Sequence, residues 1–175
     1  MEHLKNDMRE GIAKTYYKSG ELEKEMIYQN GKREGFFKVY YKSGELEAEG
    51  NYKNDKLEGV FKGYYKSGKF IREINYINDK REGLERMYYE SGELEAEGNY
   101  KNDKLEGVFK GYYKSGELKL EANWKNDKRE GLERIYYESG GYKYIDTYKN
   151  GNKINRKAYT KGGKLKFDQD YPYLE

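Results

Sequence analysis

Residues 43–68 read SGELEAEGNYKNDKLEGVFKGYYKSG, and residues 91–116 repeat them letter for letter. Within each copy the pair Ser-Gly returns after 24 residues, as Ser43-Gly44 then Ser67-Gly68. Outward from this stretch the same step continues through Ser19-Gly20, Ser115-Gly116 and Ser139-Gly140; the chain has no serine outside the series. A glycine series (Gly11, Gly35, Gly59, Gly83, Gly107, Gly131) keeps the step. So do the tyrosine pairs from Tyr16-Tyr17 to Tyr136-Tyr137, and a third aromatic series of Tyr28, Tyr52, Tyr76, Tyr100, Trp124 and Tyr148. A fixed period of this length is the signature of a repeat architecture.

The unit reads Y-x-N-[DG]-K-x-E-G-x-x-[KR]-x-Y-Y-x-S-G-x-L-x-x-E-x-x. Units start near residues 4, 28, 52, 76, 100 and 124, with Leu4 in the aromatic position of the first. Residues 148–175 form a degraded seventh unit, with Asn155 for the glycine and Gly162-Gly163 for Ser-Gly. A capping role is expected of it, because stacked repeats need a closed end. Residues 1–175 are read as a single array of about seven units.

Each unit carries two turn signals. Asn30-Gly31 and Asn54-Asp55 suit a tight hairpin because Asn, Asp and Gly tolerate positive φ. Ser-Gly is the second, weaker signal. Between them lie strand-length segments such as Gly59–Tyr65 and Glu45–Tyr52, the latter alternating polar and apolar as a half-buried strand does. The spacing predicts an all-β fold, an elongated single-layer antiparallel β-meander of repeated hairpins.

Two-residue turns at both signals fix a register. Tyr17 then opposes Leu22, and Lys14 opposes Glu25. Lys38–Glu49, Lys62–Glu73, Arg86–Glu97 and Lys110–Glu121 follow, each an opposite-charge pair contributing roughly 0.2–1 kcal/mol. The Asn-Asp turns set Lys38 opposite Glu23, Lys62 opposite Glu47 and Lys110 opposite Glu95. A three-residue loop with a bulge at Ser-Gly is the alternative. One face receives Phe37, Val39, Tyr41, Leu46, Ala48 and Tyr52, and the other the charge ladder with Tyr16, Tyr40 and Tyr64. The Gly35/Gly59 series is expected to lie beneath an aromatic ring of a neighbouring unit. Glu85 and Glu133 interrupt the apolar face. Glu85 falls opposite Arg72, whereas Glu133 falls opposite Leu120 and Asp146 with no cation in its row.

Composition agrees with a one-sided sheet. Leu, Ile, Val and Phe number only 29 of 175 residues, against 22 Tyr, and mean hydropathy is -1.30. Net charge is only +3, so self-repulsion does not explain the polarity. A sheet with one wet face does.

The Asn30-Gly31-Lys32 turn, Gly35, Tyr40-Tyr41, Gly44-Glu45-Leu46 and their counterparts resemble MORN repeats. The nearest likeness is the bacterial variant of YwqK-type antitoxin-like proteins, over Leu4 to about Tyr171. Asp replaces the turn glycine at Asp55, Asp79, Asp103 and Asp127. The resemblance implies a β-meander of hairpins and a protein that binds partners, self-associates, or neutralises a toxin.

Catalysis is not expected. The chain has no Cys and one His, His3, and its serines are turn residues, so a nucleophile, base and orienting group cannot be assembled. No cofactor or metal is expected. Nucleic acid is disfavoured because acidic residues accompany the basic ones and sequence-independent affinity needs uncompensated positive charge. A membrane surface is disfavoured by the same balance. No N-terminal stretch has the order of a signal peptide, so a cytoplasmic location is expected, export being the alternative if an upstream segment has been removed.

The expected function is a non-catalytic protein-binding scaffold, of the antitoxin or immunity kind. A self-associating structural or adhesive array is the alternative, because open edge strands are templates for pairing. The start at Leu4-Lys5-Asn6-Asp7 offers such an edge, and Tyr171-Pro172-Tyr173-Leu174 could block the other. Partner contacts are expected at Tyr41, Tyr65, Tyr89, Tyr113, Trp124, Tyr137, Tyr142 and Tyr144. Tyrosine offers large area with a polar handle.

Overall fold

The computed structural model describes Leu4, Lys5 and residues 8–172. His3, the turn at Asn6-Asp7, and Tyr173-Leu174 lie outside the described residues. Two compact units are present, one drawn from residues 1–82 and 90–92, the other from 83–89 and 93–175. The first holds β1 (Leu4–Lys5), β2 (Met8–Arg9), β3 (Gly11–Tyr16), β4 (Leu22–Gln29), β5 (Lys32–Tyr40), β6 (Leu46–Lys53), β7 (Lys56–Leu57), β8 (Gly59–Tyr64), β9 (Phe70–Ile77) and β10 (Lys80–Arg81). The second holds β11 (Gly83–Tyr88), β12 (Leu94–Lys101), β13 (Lys104–Tyr112), β14 (Leu118–Lys125), β15 (Lys128–Tyr136), β16 (Tyr142–Lys149), β17 (Asn152–Tyr159) and β18 (Leu165–Asp170).

In unit 1 the sheet order is β3-β4-β5-β6-β8-β9, with β7 on β6, β10 on β9 and β1-β2 as a separate hairpin. In unit 2 β11 to β18 pair in chain order. All pairings are antiparallel, and the described residues contain no helix. The expected all-β meander of hairpins is what forms.

The Asn turns are built as their residues dictate. Asn54 and Asp55 have φ of 50° and 67°, the double positive φ of a type I′ turn, whose twist matches the flanking strands. The substitution of Asp for Gly has a clear role. Asp55 Oδ1 accepts the backbone N–H of Arg33 at 2.9 Å, while the Asp55 N–H returns to Arg33 O at 3.0 Å. Asp79 does the same for Leu57, and Asp127 for Leu105. A further tie comes from the glutamate before each repeat glycine. Glu34 Oε2 accepts the Asn54 N–H at 2.7 Å, and Glu10, Glu58, Glu106 and Glu130 cap Asn30, Asn78, Asn126 and Asn150. The turns at Asn30, Asn54, Asn78, Asn126 and Asn150 are thus held to the preceding repeat.

At Ser-Gly the two-residue turn gives way to the bulged alternative. Tyr17 N donates to Glu21 O and Gly20 N to Tyr17 O, both at 2.9 Å, closing a three-residue loop. The register then shifts between Thr15 and Tyr16, so Tyr16, not Tyr17, opposes Leu22. Leu46 likewise opposes Tyr40 and leaves the apolar face to which the sequence assigned it. Beyond the bulge the expected pairs are all present: Lys14–Glu25, Lys38–Glu49, Lys62–Glu73, Arg86–Glu97 and Lys110–Glu121.

The Asn-turn pairs are corrected by a second irregularity. Between Met26 and Tyr28 the register moves by two residues, because Glu34, Gly35 and Phe36 together face Ile27. Lys38 therefore opposes Glu25 rather than Glu23, Lys62 opposes Glu49 rather than Glu47, and Lys110 opposes Glu97 rather than Glu95. The result is a continuous alternating row, Lys14–Glu25–Lys38–Glu49–Lys62–Glu73 in unit 1 and Arg86–Glu97–Lys110–Glu121–Arg134 in unit 2.

The glycine at this irregularity is there for its backbone. Gly59 has φ 81° and Gly107 φ 80°, and a Cβ on either would meet nothing within 4 Å. No ring lies over them. The covered glycines are Gly50 and Gly98, where a Cβ would meet Phe37 and Phe109 at 2.8 Å. Gly59→Asn is therefore expected to cost less stability than Gly59→Ala, although Asn is larger, because Asn tolerates left-handed backbone at lower cost. Urea denaturation of the two variants reads this directly, and the reverse order would restore close approach as the cause.

Candidate functional site

Opposite the charge row lies the core face. In unit 1 it carries Phe37, Phe61, Tyr52 and Tyr76, with ring centroids 4.9 Å apart for Phe37–Tyr52 and 6.3 Å for Phe37–Phe61. Among the described residues the buried apolar side chains are few: Phe37, Ile74, Ala96, Leu105, Ala122, Tyr148 and Ala158. This is the burial of a single layer, in which much apolar surface is half-covered.

Tyr17, Tyr41, Tyr89, Tyr113 and Tyr137, each the second of its pair, are fastened to the next repeat. Tyr17 Oη donates to Tyr40 O, Tyr41 to Tyr64 O, Tyr89 to Tyr112 O and Tyr113 to Tyr136 O, all at 2.7 Å, and Tyr137 to Tyr159 O at 2.9 Å. Each ring is half-buried while its polar tip is spent internally. The first tyrosine faces the other way. Tyr64 Oη donates to Glu49 at 2.7 Å and Tyr112 Oη to Glu97 at 2.9 Å. Burial, then these carboxylates, raise both phenols, and Tyr112 is pushed up to about 12.

On the core face of unit 2 an uncovered hollow of about 370 Å³ is lined by Met87, Tyr89, Ala96, Phe109, Gly111 and Leu120, with Glu95, Tyr112 and Lys119 at its rim. Met87, Ala96, Gly111 and Leu120 stand in one cross-strand row, and Gly111 opens the floor. Of the expected contact residues Tyr89 lines this hollow. Tyr65 is half-buried, and Tyr142 is exposed. Tyr142 and Tyr144 do not share a face. The bulge between Ile135 and Tyr136 pairs Tyr142 with Tyr136 and Tyr144 with Ile135. Tyr142 thus stacks on Tyr136 at 5.2 Å, beside the charge row, and Tyr144 turns to the core.

Further along unit 2 the core row becomes ionic. Glu133 is 3 % exposed and Asp146 0 %. Asp146 accepts both Arg156 Nε at 2.7 Å and Nη2 at 2.6 Å, and pairs with Lys153 at 3.0 Å. Arg129 Nε lies 3.0 Å from Glu133 Oε2, and Tyr148 Oη donates to Glu133 Oε1 at 3.3 Å. Arg129 is also stacked between Trp124 and Tyr148, 5.2 and 5.1 Å from their centroids, and Arg156 sits 4.4 Å over Tyr144. Trp124 and Tyr144 are thereby platforms for half-buried cations.

The expectation that Glu133 has no cation in its row is corrected here. The register shift between Thr147 and Tyr148 brings Arg156, not Asn155, opposite Asp146. Glu133 faces Ala122 rather than Leu120. Arg129, Lys153 and Arg156 were missed by sequence reasoning; a pair of carboxylates at apolar-face positions was the signal that cations had to be near.

Burial raises the Glu133 pKa, and Arg129 offsets this only in part. Burial also opposes the Asp146 carboxylate, but hydrogen bonds from Arg156 and Lys153 overcome it and hold the pKa below the ordinary value. The signs are opposite. Stability contributed by Glu133 is full below about pH 4.3 and is lost as pH rises through its folded pKa. That from Asp146 is present above about pH 3.9 and is lost as pH falls through its folded pKa. Glu133→Gln is therefore expected to stabilise at pH 7 and lose that advantage below pH ~4. Asp146→Asn is expected to cost about 3 kcal/mol at pH 7, because it leaves two cations facing a neutral group. Denaturant titrations at the two pH values check both. Tyr112 adds an alkaline signature. Its stabilisation holds below about pH 10 and is lost between there and about 12. Tyr112→Phe should flatten the fall in melting temperature over that window.

The MORN repeat variant profile matches the chain six times, over residues 9–30, 33–54, 57–78, 81–102, 105–126 and 129–150. No curated protein shows significant similarity to it. Six consecutive matches covering well over half the chain, in step with its hairpins and tyrosine ties, mean that the chain belongs to the MORN repeat variant family.

Proposed function

We propose that the protein is a non-catalytic scaffold that holds a protein partner against the core face of its repeats, in the manner of an antitoxin or immunity protein. MORN repeats are in general protein- and membrane-binding motifs. The observation that carries the reading is the uncovered hollow lined by Met87, Tyr89, Ala96, Phe109 and Leu120. A concave apolar site with a few polar groups at its rim is where a partner's anchor side chain gains most. The rings of Tyr41, Tyr65, Tyr113, Tyr137 and Tyr144, with Trp124, extend that chemistry to other repeats, while Tyr142 would serve the opposite face.

Self-association is the second reading, favoured by β18, whose six residues are all exposed. An uncovered terminal strand pairs with another chain unless charge prevents it.

The test is capture of the partner from the native host by the tagged full chain, repeated with Leu120→Asp and Tyr89→Phe. Loss of the captured protein with Leu120→Asp, and its retention by Tyr89→Phe, is expected. Tyr89→Phe keeps the ring and removes only the internal hydrogen bond. Equal capture by all three forms would move the site off the hollow. The antitoxin reading further expects the captured protein to arrest growth when expressed alone and not when co-expressed; a harmless protein would refute it. Light scattering that shows reversible oligomers without partner would favour self-association.

A further inference from the structure

The face bearing the charge row has an unexpected feature. The residue after each glycine of the Gly11–Gly131 series is apolar, and all six are exposed: Ile12 (55 %), Phe36 (66 %) and Val60 (48 %) in unit 1, with Leu84, Val108 and Leu132 in unit 2. They point away from the core, on the side of the basic residues two positions further along each strand. Ile12 has an apolar cross-strand partner in Ile27, but Phe36 and Val60 oppose only Asn51 and Asn75, and a row of exposed apolar side chains is a candidate interaction surface.

In unit 1 the stripe borders a mostly apolar pocket of about 140 Å³, lined by Ile12, Met26, Ile27, Phe36 and Phe37, with Glu25 and Lys38 also in its wall. It opens where the β4–β5 register shifts at Ile27. An apolar cavity of about 150 Å³ accommodates a benzene ring, so one aliphatic or aromatic anchor fits. The charge row beside it is not neutral from outside. Glu25 is held by Lys14 at 2.7 Å and by Tyr40 Oη at 3.1 Å, and Glu49 by Tyr64 Oη. Glu25 is 29 % exposed against 44 % for Lys14, and Lys38 and Lys62 form no ion pair among the described residues. Lys14 and Lys38 are exposed where Glu25 and Glu49 are half-buried, so the outermost charge there is basic, while Lys62 is half-buried with its ammonium 5.8 Å from the Phe70 ring.

β4, β5, β6 and β8 have strand neighbours on both sides, so a strand adds only at the β3 edge and not across this face. An occupant of the face has to arrive with its own backbone satisfied, as an amphipathic helix does. Ile12, Phe36 and Val60 stand on every second strand of the row, about 9.6 Å apart. One heptad of helix advances about 10.5 Å. We propose that the charge-row face of unit 1 is a docking site for an amphipathic α-helix of a partner protein, with apolar residues one heptad apart on Ile12, Phe36 and Val60 and acidic residues toward Lys38 and Lys62.

The experiment titrates the full chain into a fluorescein-labelled, stapled monomeric peptide of about three heptads. It carries Leu on one face and Glu on its flanks; a scrambled peptide and one with Lys for Glu are the controls. Saturable anisotropy with the acidic helix alone is expected, weakened about tenfold or more by Phe36→Asp and by the milder Ile12→Ser. Lys38→Glu should weaken the acidic peptide and strengthen the basic one. No saturable binding, equal binding of the scrambled peptide, or indifference to both Phe36→Asp and Ile12→Ser would overturn the proposal. So would light scattering that shows a dimer dissociated by Phe36→Asp, since a second copy would then be the occupant. Leu120→Asp should leave peptide binding unchanged, so this site and the hollow of unit 2 fail or stand separately.

Discussion

The backbone at Gly35 and its counterparts, held at positive φ, is the constraint on which the rest depends. It lets one strand carry two residues more than its partner between the Asn turn and the charge row. Without that excess Lys38 would face Glu23, and the basic and acidic residues would form separate staggered pairs. With it, Glu25 and Glu49 in unit 1 and Glu97 and Glu121 in unit 2 each lie between two cations. The same bend presents Phe36 outward and returns Phe37 to the core one residue later. Register, core and exposed stripe are therefore consequences of one dihedral angle per repeat, which L-residues with a Cβ adopt only at a cost.

A single layer has no second sheet against which to bury its apolar side, so its cohesion has to come from each repeat to the next. Three ties do this at distances of one repeat. The tyrosine hydroxyl reaches a backbone carbonyl, the glutamate before the glycine caps an asparagine turn, and the turn aspartate caps a strand N–H. All three satisfy backbone groups, and such bonds involving a charged acceptor are stronger than neutral ones. The interactions are nearest-neighbour, as in repeat arrays generally. This explains why a chain so poor in Leu, Ile and Val folds: polar bonds to the backbone supplement a thin core.

The period, the strand content and the charge pairs across each Ser-Gly hairpin were legible from spacing alone, because the bulged three-residue turn restores the register that a two-residue turn would give. What was not legible lay beside the Ser-Gly turns and at the irregularity of the Gly35 series, which moves Lys38, Lys62 and Lys110 onto other glutamates than spacing predicts. Leu46 and Tyr142 fell on the wrong face because a two-residue turn and a three-residue turn with a bulge restore the same register further on. The glycines of the Gly35 series were visible, but their reason was misread: a repeated glycine announces either a close neighbour or a positive φ, and the letters do not separate them. Gly50 and Gly98, absent from the 24-residue glycine series, are the ones beneath rings.

The ionic stretch of unit 2 shows how far the apolar face can depart from the pattern. Where Phe109 and Ala122 continue the core row, Glu133, Asp146 and Arg156 follow. Replacing such a cluster by hydrophobic residues of similar volume is often neutral or stabilising, so stability does not account for it. Its geometry is exacting instead. Asp146 takes two bonds from one guanidinium, and Arg129 is set between two rings while Glu133 Oε2, Arg129 Nε and Trp124 Nε1 have no hydrogen bond among the described residues. Only one register of β15, β16 and β17 brings these groups together, whereas the interchangeable apolar rows of residues 43–68 and 91–116 would accept a shift by a whole repeat. The buried charges thus distinguish this part of the meander from its near-identical neighbours, which an apolar core of repeated residues cannot do.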